Sequence, residues 1–337
     1  PDAGSFRDPL SRVYVEPDCV WRGLSAAGLE DYQALATSSF FPAAIARGDI
    51  VATELVEPAP TAVPGDWAGV LRHERLAVLS YPYEWSFEML RDAARLQLDL
   101  TRAALAERLI TKDASSYNVQ FRGSRPVFID VGSFERLRPE PWPGYRQFCE
   151  LFLNPLLVQA IADVDFRPLL RGSVHGISPT QAAALLGGRG KLAKGVLTHV
   201  RLHARAEERY ADADRERDVK HELQRAGFGP GIIDAQLKNL RKAIDGLKWD
   251  HDHSTWSEYS DRAHYSDRDL DAKDAFVRST VEASAARELV LDLGANDGRF
   301  SRAALAAGAA HVVAVDNDHL VIDRLYRALR HDGEQRI

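Results

Sequence analysis

The sequence predicts two successive domains: an α+β domain over residues 1–248 and, over residues 249–337, the beginning of an α/β domain. In the first domain, short strand-like segments precede a long amphipathic helix. In the second, an apolar strand, a glycine-bearing turn, a helix and another apolar strand follow in order, as in a βαβ unit. A length of 337 residues allows for two or three domains.

The composition excludes several classes of function. Hydrophobic residues make up 45% of the chain and charged residues 27%, an ordinary balance for a globular protein. The net charge of −6 does not favour a nucleic-acid-binding or membrane-surface role. No run of 18 apolar residues or signal-peptide pattern is present. Two cysteines, Cys19 and Cys149, are too few for a disulfide framework, so we expect a cytoplasmic protein. Many Ala and Arg with few Lys indicate a bacterial source.

Residues 1–80 are predicted to form a small strand-rich lobe. Alternating and β-branched patterns predict strands and one largely helical stretch. The predicted strands are 11–15, 19–22, 49–56 and 70–79, with the helical stretch at 28–47. A Pro-rich loop occupies residues 57–66, where neither a helix nor a central strand is expected.

Residues 81–248 are predicted to form a mainly helical lobe. An apolar stripe from Leu90 to Leu105 predicts one long helix that ends near residue 108. A further apolar helical face covers 144–164, and Ser178 followed by Pro179 marks a helix start. Amphipathic basic helices are predicted at 191–210 and 232–247, with a glycine-rich break at 227–231.

Three polar residues follow the long helix at a spacing that indicates chemistry. Asp113 and Asn118 lie five residues apart in a loop, and Asp130 ends an apolar strand just before Gly132. One carboxylate in such a set can orient or deprotonate an acceptor hydroxyl. An amide and a second carboxylate are ligands suited to Mg²⁺. The alternative is structural: a turn cap, a hairpin residue and a strand end.

This segment resembles the catalytic loop and the Asp-x-Gly metal site of the protein-kinase-like fold, including aminoglycoside phosphotransferases. The resemblance covers about residues 8–175 and implies ATP and Mg²⁺ as ligands. It makes Asp113 the base, if the site is active, and Asn118 and Asp130 the metal ligands. Thr111-Lys112 replaces the usual His-Arg, and no glycine-rich loop or lysine occurs in the first lobe. We therefore expect weak or absent ATP turnover, with Arg22 as the nearest substitute cation.

Other polar groups have weaker signals. One set of basic residues either faces an anionic substrate or forms a solvated helix face; it comprises Lys220, Arg225, Lys238, Arg241, Lys242 and Lys248. His251, His253 and His264 have no fourth metal ligand at a recognised spacing. Trp256, Tyr259 and Tyr265 precede the βαβ unit, where they either cover its ligand pocket or serve in packing.

The βαβ unit has the clearest chemical pattern. Leu289–Leu293 is an apolar strand, Gly294 and Gly298 allow a tight turn, and His311–Val315 returns as a parallel strand. Asp316 then lies at the carboxyl edge, where an acidic side chain can accept hydrogen bonds from ribose hydroxyls. Acidic residues at positions 292 and 297 would repel a pyrophosphate but tolerate a cationic sulfonium.

This pattern resembles motif I of the class I S-adenosylmethionine-dependent methyltransferases, over about residues 285–330. The resemblance implies that Asp292, Gly294, Asn296, Gly298 and Asp316 bind S-adenosylmethionine. Such domains have about seven strands, and two strands leave an open edge and cannot bury the faces of a sheet. We therefore expect a longer natural protein that begins with this chain, and little binding by the chain alone.

The sequence thus supports three functional hypotheses. The first is a methyltransferase whose kinase-like module recognises the substrate. The second is a phosphotransferase fused to a methyltransferase, and the third a non-catalytic nucleotide-binding scaffold. The methyl acceptor cannot be read from these residues, and neither can the atom that is methylated or the oligomeric state.

Overall fold

The structure is a computed structural model, which describes Asp2, Ser5 and residues 8–57, 62–188, 229–257 and 266–337. It divides into two compact units. The first comprises Pro1–Tyr83, Arg91–Gln120 and Pro126–Lys248, and the second comprises Glu84–Leu90, Phe121–Arg125 and Trp249–Ile337. Within the described residues, no helix is long and apolar enough to cross a membrane.

The first unit begins with a four-stranded antiparallel sheet in the order β1-β2-β4-β3. Its strands are β1 (Ser11–Val15), β2 (Cys19–Leu24), β3 (Thr53–Val56) and β4 (Gly69–Glu74). The predicted hairpin at 11–22 is confirmed. β3 begins later than predicted, because Asp49 and Val51 pair with Phe128 instead of joining this sheet. β4 ends at Glu74, whereas the predicted strand extended to residue 79.

The helical stretch predicted at 28–47 is two helices, α1 (Ala26–Ala36) and α2 (Phe40–Arg47). The start of α2 is fixed by a residue that is distant in the sequence. The Glu107 carboxylate accepts the backbone N–H groups of Ser39 and Phe40, each at 2.8 Å, and so caps α2. These hydrogen bonds, with that of the Ser39 hydroxyl, lower the pKa of Glu107.

The long helix is confirmed as α3 (Phe87–Ala106). Short strands follow it: β5 (Leu109–Thr111), β6 (Val119–Arg122), β7 (Arg125–Phe128) and β8 (Phe134–Arg136). β5 pairs with β8 antiparallel, and β6 pairs with β7 as the predicted hairpin. These short strands flank the loops that hold Asp113, Asn118 and Asp130.

The rest of the first unit is helical where the structure describes it. The helices are α4 (Tyr145–Phe148), α5 (Asn154–Ala162), α6 (Arg167–Gly172), α7 (Pro179–Leu186) and α8 (Pro230–Asp245), with a π-helical turn over Cys149–Leu153. The predicted start at Ser178 is confirmed as a capping box with Gln181. The core is rich in aromatic rings, including fully buried Phe128, Phe134, Phe148, Phe152 and Phe166. The basic helix predicted at 191–210 and residues 227 and 228 of the predicted break lie outside the described residues.

The second unit contains the predicted βαβ unit. Its elements are α9 (Asp267–Ala283), β9 (Leu289–Leu293), α10 (Arg299–Ala306), β10 (His311–Val315) and α11 (His319–Asp332). β9 and β10 are parallel, with Leu289 opposite His311 and Leu293 opposite Val315. As expected for two strands, one face stays uncovered, and Leu291 and Leu293 are 61% and 76% exposed.

Helix α11 also holds the first turn of α3, whose residues to Leu90 belong to this unit. His319 Nε2 accepts the N–H of Phe87 at 2.9 Å, and Asp323 Oδ1 accepts that of Glu88 at 2.8 Å. These side chains satisfy helix N–H groups that have no partner within the helix.

Candidate functional site

The turn after β9 is fixed by the end of β10. The N–H groups of Gly294 and Ala295 both donate to the carbonyl oxygen of Val315, at 2.8 and 3.1 Å. Gly294 and Asn296 have φ values of +81° and +48°, in the left-handed region. A Cβ at Gly294 would meet no atom of the described residues within 4 Å, so the turn is open on that side with respect to them.

Asp316 links the two strand ends. Its Oδ2 accepts the N–H of Asn296 at 3.0 Å, and its Oδ1 accepts that of Asp318 at 2.9 Å. A carboxylate offers about four acceptor positions, so two remain for hydroxyl groups of a ligand. The carboxylate is therefore held in place and can still accept hydrogen bonds.

Asp292 and Gly298 take part in packing within the unit. Asp292 Oδ2 accepts the hydroxyl of buried Ser301 at 2.6 Å, which joins β9 to α10. A Cβ at Gly298, where φ is +78°, would lie 2.6 Å from Leu325 Cδ1. The positive φ favours glycine there, and a Cβ would also displace the buried Leu325 side chain of α11. A cofactor role for Asp292 and Gly298 stays a prediction.

A short segment before the βαβ unit crosses both strand ends. Asn296 Nδ2 donates to the carbonyl oxygen of Trp256 at 2.9 Å, and the N–H of Trp256 donates to Asp318 Oδ2 at 3.1 Å. Asp318 also accepts the N–H of Leu320 and so caps α11. Trp256 is 45% exposed. Tyr259 and Tyr265 lie outside the described residues.

The structure brings Asp113, Asn118 and Asp130 together in the first unit. Burial raises the pKa of Asp113, and the charge of Asp130 raises it further. A hydrogen bond from the Ser115 backbone and the nearby Gln147 and Asn118 side chains oppose this rise. The Asn118 amide lies close enough to favour the charged form of Asp113, but its buried Nδ2 makes no well-aligned hydrogen bond.

Arg22, on β2, is the cation of this site. Its Nη2 lies 2.8 Å from Asp130 Oδ1, and both side chains are largely buried. Its Nη1 donates to Ser11 Oγ at 3.2 Å. Arg22, the substitute cation expected from the sequence, therefore reaches the Asp130 carboxylate. The guanidinium of Arg22 already compensates the charge on Oδ1 of Asp130.

His73 lies beside Arg22 and was not singled out by its sequence context. Thr53 Oγ1 donates to the Val51 carbonyl and lies 2.8 Å from His73 Nδ1, so Nδ1 must carry the proton. Burial, and then the charge of Arg22, lower the pKa of His73 to about 3. In the neutral ring Nε2 is a hydrogen-bond acceptor, and this buried nitrogen receives no hydrogen bond from the described residues.

The remaining predicted sites gain no support. Lys238 pairs with Asp234, and Arg241 pairs with Asp99 and Asp245, as a solvated ion-pair face would. The ring of His251 packs against that of Trp249 at a tilt of 45°, with ring centroids 5.0 Å apart. The described residues hold no group of three His, Cys, Asp or Glu side chains placed to bind a metal ion. Lys220, Arg225 and His264 lie outside them.

The comparisons with known proteins give one relative. No protein-family model matches the chain. The chain is similar to nodulation protein NoeA of Rhizobium meliloti (strain 1021), with 32% identity over 330 residues. The match covers 96% of this chain and 68% of that protein.

The chain belongs to the NoeA family. The aligned region takes in both units, so the Asp316 site and the Asp113 site both lie in the part shared with NoeA. The name of the relative states a connection with nodulation and specifies no reaction.

Proposed function

We propose that the protein is an S-adenosylmethionine-dependent methyltransferase whose first unit recognises the methyl acceptor. The observation that carries this proposal is the arrangement around Asp316. A fixed carboxylate stands at the end of the second parallel strand, beside an open glycine turn at the end of the first. Ligands of open α/β sheets bind at the carboxyl ends of the strands.

The residues present fit this cofactor. Asp316 would accept the ribose hydroxyls through its remaining acceptor positions. The open side of Gly294 would allow close approach of the ligand to the backbone. When bound, S-adenosylmethionine supplies the activated methyl group. The protein's contribution is then to orient the cofactor and the acceptor and to exclude water.

The test is binding of S-adenosylmethionine by the natural full-length protein, measured by calorimetry. Asp316→Ala should weaken binding by about 1–3 kcal/mol, the scale of buried hydrogen bonds left unmade. Asp332→Ala is the control, since this half-exposed aspartate lies at the far end of α11. Equal affinity of the Asp316 variant would remove this residue from the ribose role. A wild-type protein that does not bind the cofactor would refute the proposed function.

Phosphotransfer in the first unit is a second candidate, favoured by the meeting of Asp113, Asn118 and Asp130. Arg22 lies on a sheet strand, as does the phosphate-pairing lysine of protein kinases. As arranged, however, Arg22 already compensates Asp130, so the residues do not form a ready Mg²⁺ site, and we derive no step through a metal ion. We expect no robust ATP turnover in a phosphate-release assay. Turnover that Asp130→Asn abolishes would place phosphotransfer first.

The proposed reaction belongs in the cytoplasm. Both cysteines, Cys19 and Cys149, are free and buried in the structure. Thiols in this state suit a reducing compartment. Location of the native protein by fractionation of the source cells would test this.

A further inference from the structure

The segment around Trp256 spans the place where the proposed cofactor would bind. The carbonyl oxygen of Trp256 accepts a hydrogen bond from Asn296, which follows β9. The N–H of Trp256 donates to Asp318, which follows β10. Both of these partners also contact Asp316, through their own N–H groups. The backbone of Trp256 is thus fixed next to the ribose-binding carboxylate.

The turn that holds Trp256 is fixed by hydrogen bonds within the protein. The N–H of Ser254 donates to Ser257 Oγ at 2.8 Å, and the N–H of Ser257 donates to Ser254 Oγ at 3.1 Å. Arg324 Nη2, on α11, donates to the carbonyl oxygen of Asp252 at 2.6 Å. Although burial raises the pKa of Asp318, hydrogen bonds from the Ser254 side chain and from the backbone N–H groups of Trp256, Val321 and Leu320 lower it on balance.

The Trp256 side chain differs from other tryptophans of the chain in its exposure. Trp85 and Trp142 are 0% and 2% exposed, whereas Trp256 is 45% exposed. An aromatic side chain that is half exposed, on a backbone fixed beside a polar ligand site, is suited to contact a ligand. Aromatic rings stack on nucleobases with a gain of about 1–3 kcal/mol per base.

We infer that Trp256 is a cofactor-binding residue whose indole ring packs on the nucleoside of S-adenosylmethionine. This inference rests on the proposed function and adds one ligand-contacting residue to the same site. The nucleoside is favoured over the sulfonium because the bonded neighbours of Trp256 flank Asp316, the ribose position. Since a nucleoside contact does not depend on the methyl group, the ring should bind S-adenosylmethionine and S-adenosylhomocysteine alike.

The experiment titrates both compounds into the natural full-length protein and its variants by calorimetry. Trp256→Ala should weaken the binding of both compounds by at least about fivefold, the lower end of base-stacking energies. Trp256→Phe should retain most of the affinity, because a phenyl ring can still stack. Phe276→Ala is the matched control, since this aromatic residue of the same unit is 71% exposed and lies on α9. It should bind both compounds as wild type does.

A second readout covers the case in which the alanine variant does not fold. Either compound should change the tryptophan fluorescence of the wild-type protein, and this change should be lost in Trp256→Phe. Unchanged affinity in Trp256→Ala, or an unchanged fluorescence response in Trp256→Phe, would overturn the inference and leave the proposed function standing. Weaker binding of S-adenosylmethionine alone would also overturn it, since that result places the ring at the sulfonium. A wild-type protein that binds neither compound would refute the proposed function and the inference together.

Discussion

Acidification tests the buried environment of His73. The pKa of His73 is lowered from 6.5 to about 3, first because it is buried and then because of the Arg22 charge. Below pH 6.5 the unfolded chain therefore binds a proton that the folded protein does not. A group with a lowered folded-state pKa contributes stability above its unfolded pKa, and this contribution is lost as the pH falls towards the folded pKa.

The size of the effect follows from these two values. Between pH 7 and pH 5 the linkage relation gives a loss of about 2 kcal/mol in the free energy of unfolding from this one residue. The assay is urea unfolding at both pH values for wild type and His73→Asn. The variant should be less stable at pH 7 because it loses ring packing, but its further loss at pH 5 should be about 2 kcal/mol smaller.

His175→Asn is the matched control, because His175 is exposed. Its pH dependence should be that of wild type. If His73→Asn and wild type lose equal free energy between pH 7 and pH 5, then His73 is not held neutral in a dry site. The protonation state deduced for the ring, neutral with the proton on Nδ1, would then be wrong as well.

Two further predictions concern packing and capping, and both are checked by urea unfolding. Gly298→Ala should destabilise the protein by about 1–3 kcal/mol more than Gly294→Ala, because both positions have a positive φ but only at Gly298 would the added Cβ crowd the buried Leu325 side chain. Equal losses would show that Leu325 does not oppose the added methyl group. Glu107→Ala should cost about 1 kcal/mol by removing the cap of α2, whereas exposed Glu140→Ala should be neutral. A neutral Glu107 variant would show that α2 does not depend on this carboxylate.

Local sequence pattern was sufficient to predict particular elements in each of the two units. The apolar run at 289–293, the glycine turn and the second apolar strand predict a parallel pair, and the register of β9 with β10 agrees. Ser178 and Pro179 likewise mark the start of α7. In these cases the signal lies within a few residues, where hydrophobic period and capping chemistry act.

Contacts between distant parts of the chain could not be predicted from the sequence. The stretch 28–47 reads as largely helical, and the capping of α2 by Glu107, 68 residues from Ser39, has no local signal. The segment at 49–51 has strand propensity, but it pairs with Phe128 outside the main sheet. Propensity does not specify which partner a strand or helix end will find.

The same limit applies to the sites. The spacing of Asp113, Asn118 and Asp130 predicts that they converge, and it is the loops after β5 and β7 that bring them together. The position of His73 near Arg22 has no local signal, because it depends on β4 lying beside β2 in the sheet. Sequence pattern can therefore suggest a site's principal residues, while the neighbours that adjust their charge emerge only with the fold.

The geometry of Asp316 bears on how its role should be judged. Its carboxylate is held by two backbone N–H groups, one from each strand end, so its orientation is fixed before any ligand arrives. Such preorganisation lowers the cost of binding, since no side-chain freedom remains to be lost. It also means that Asp316→Ala loosens the turn as well as removing a ribose acceptor. An affinity loss with Asp316→Ala is therefore evidence for ribose binding only if the turn survives. Hydrogen exchange at the N–H groups of Gly294 and Ala295, which donate to Val315 and not to Asp316, would show whether it does.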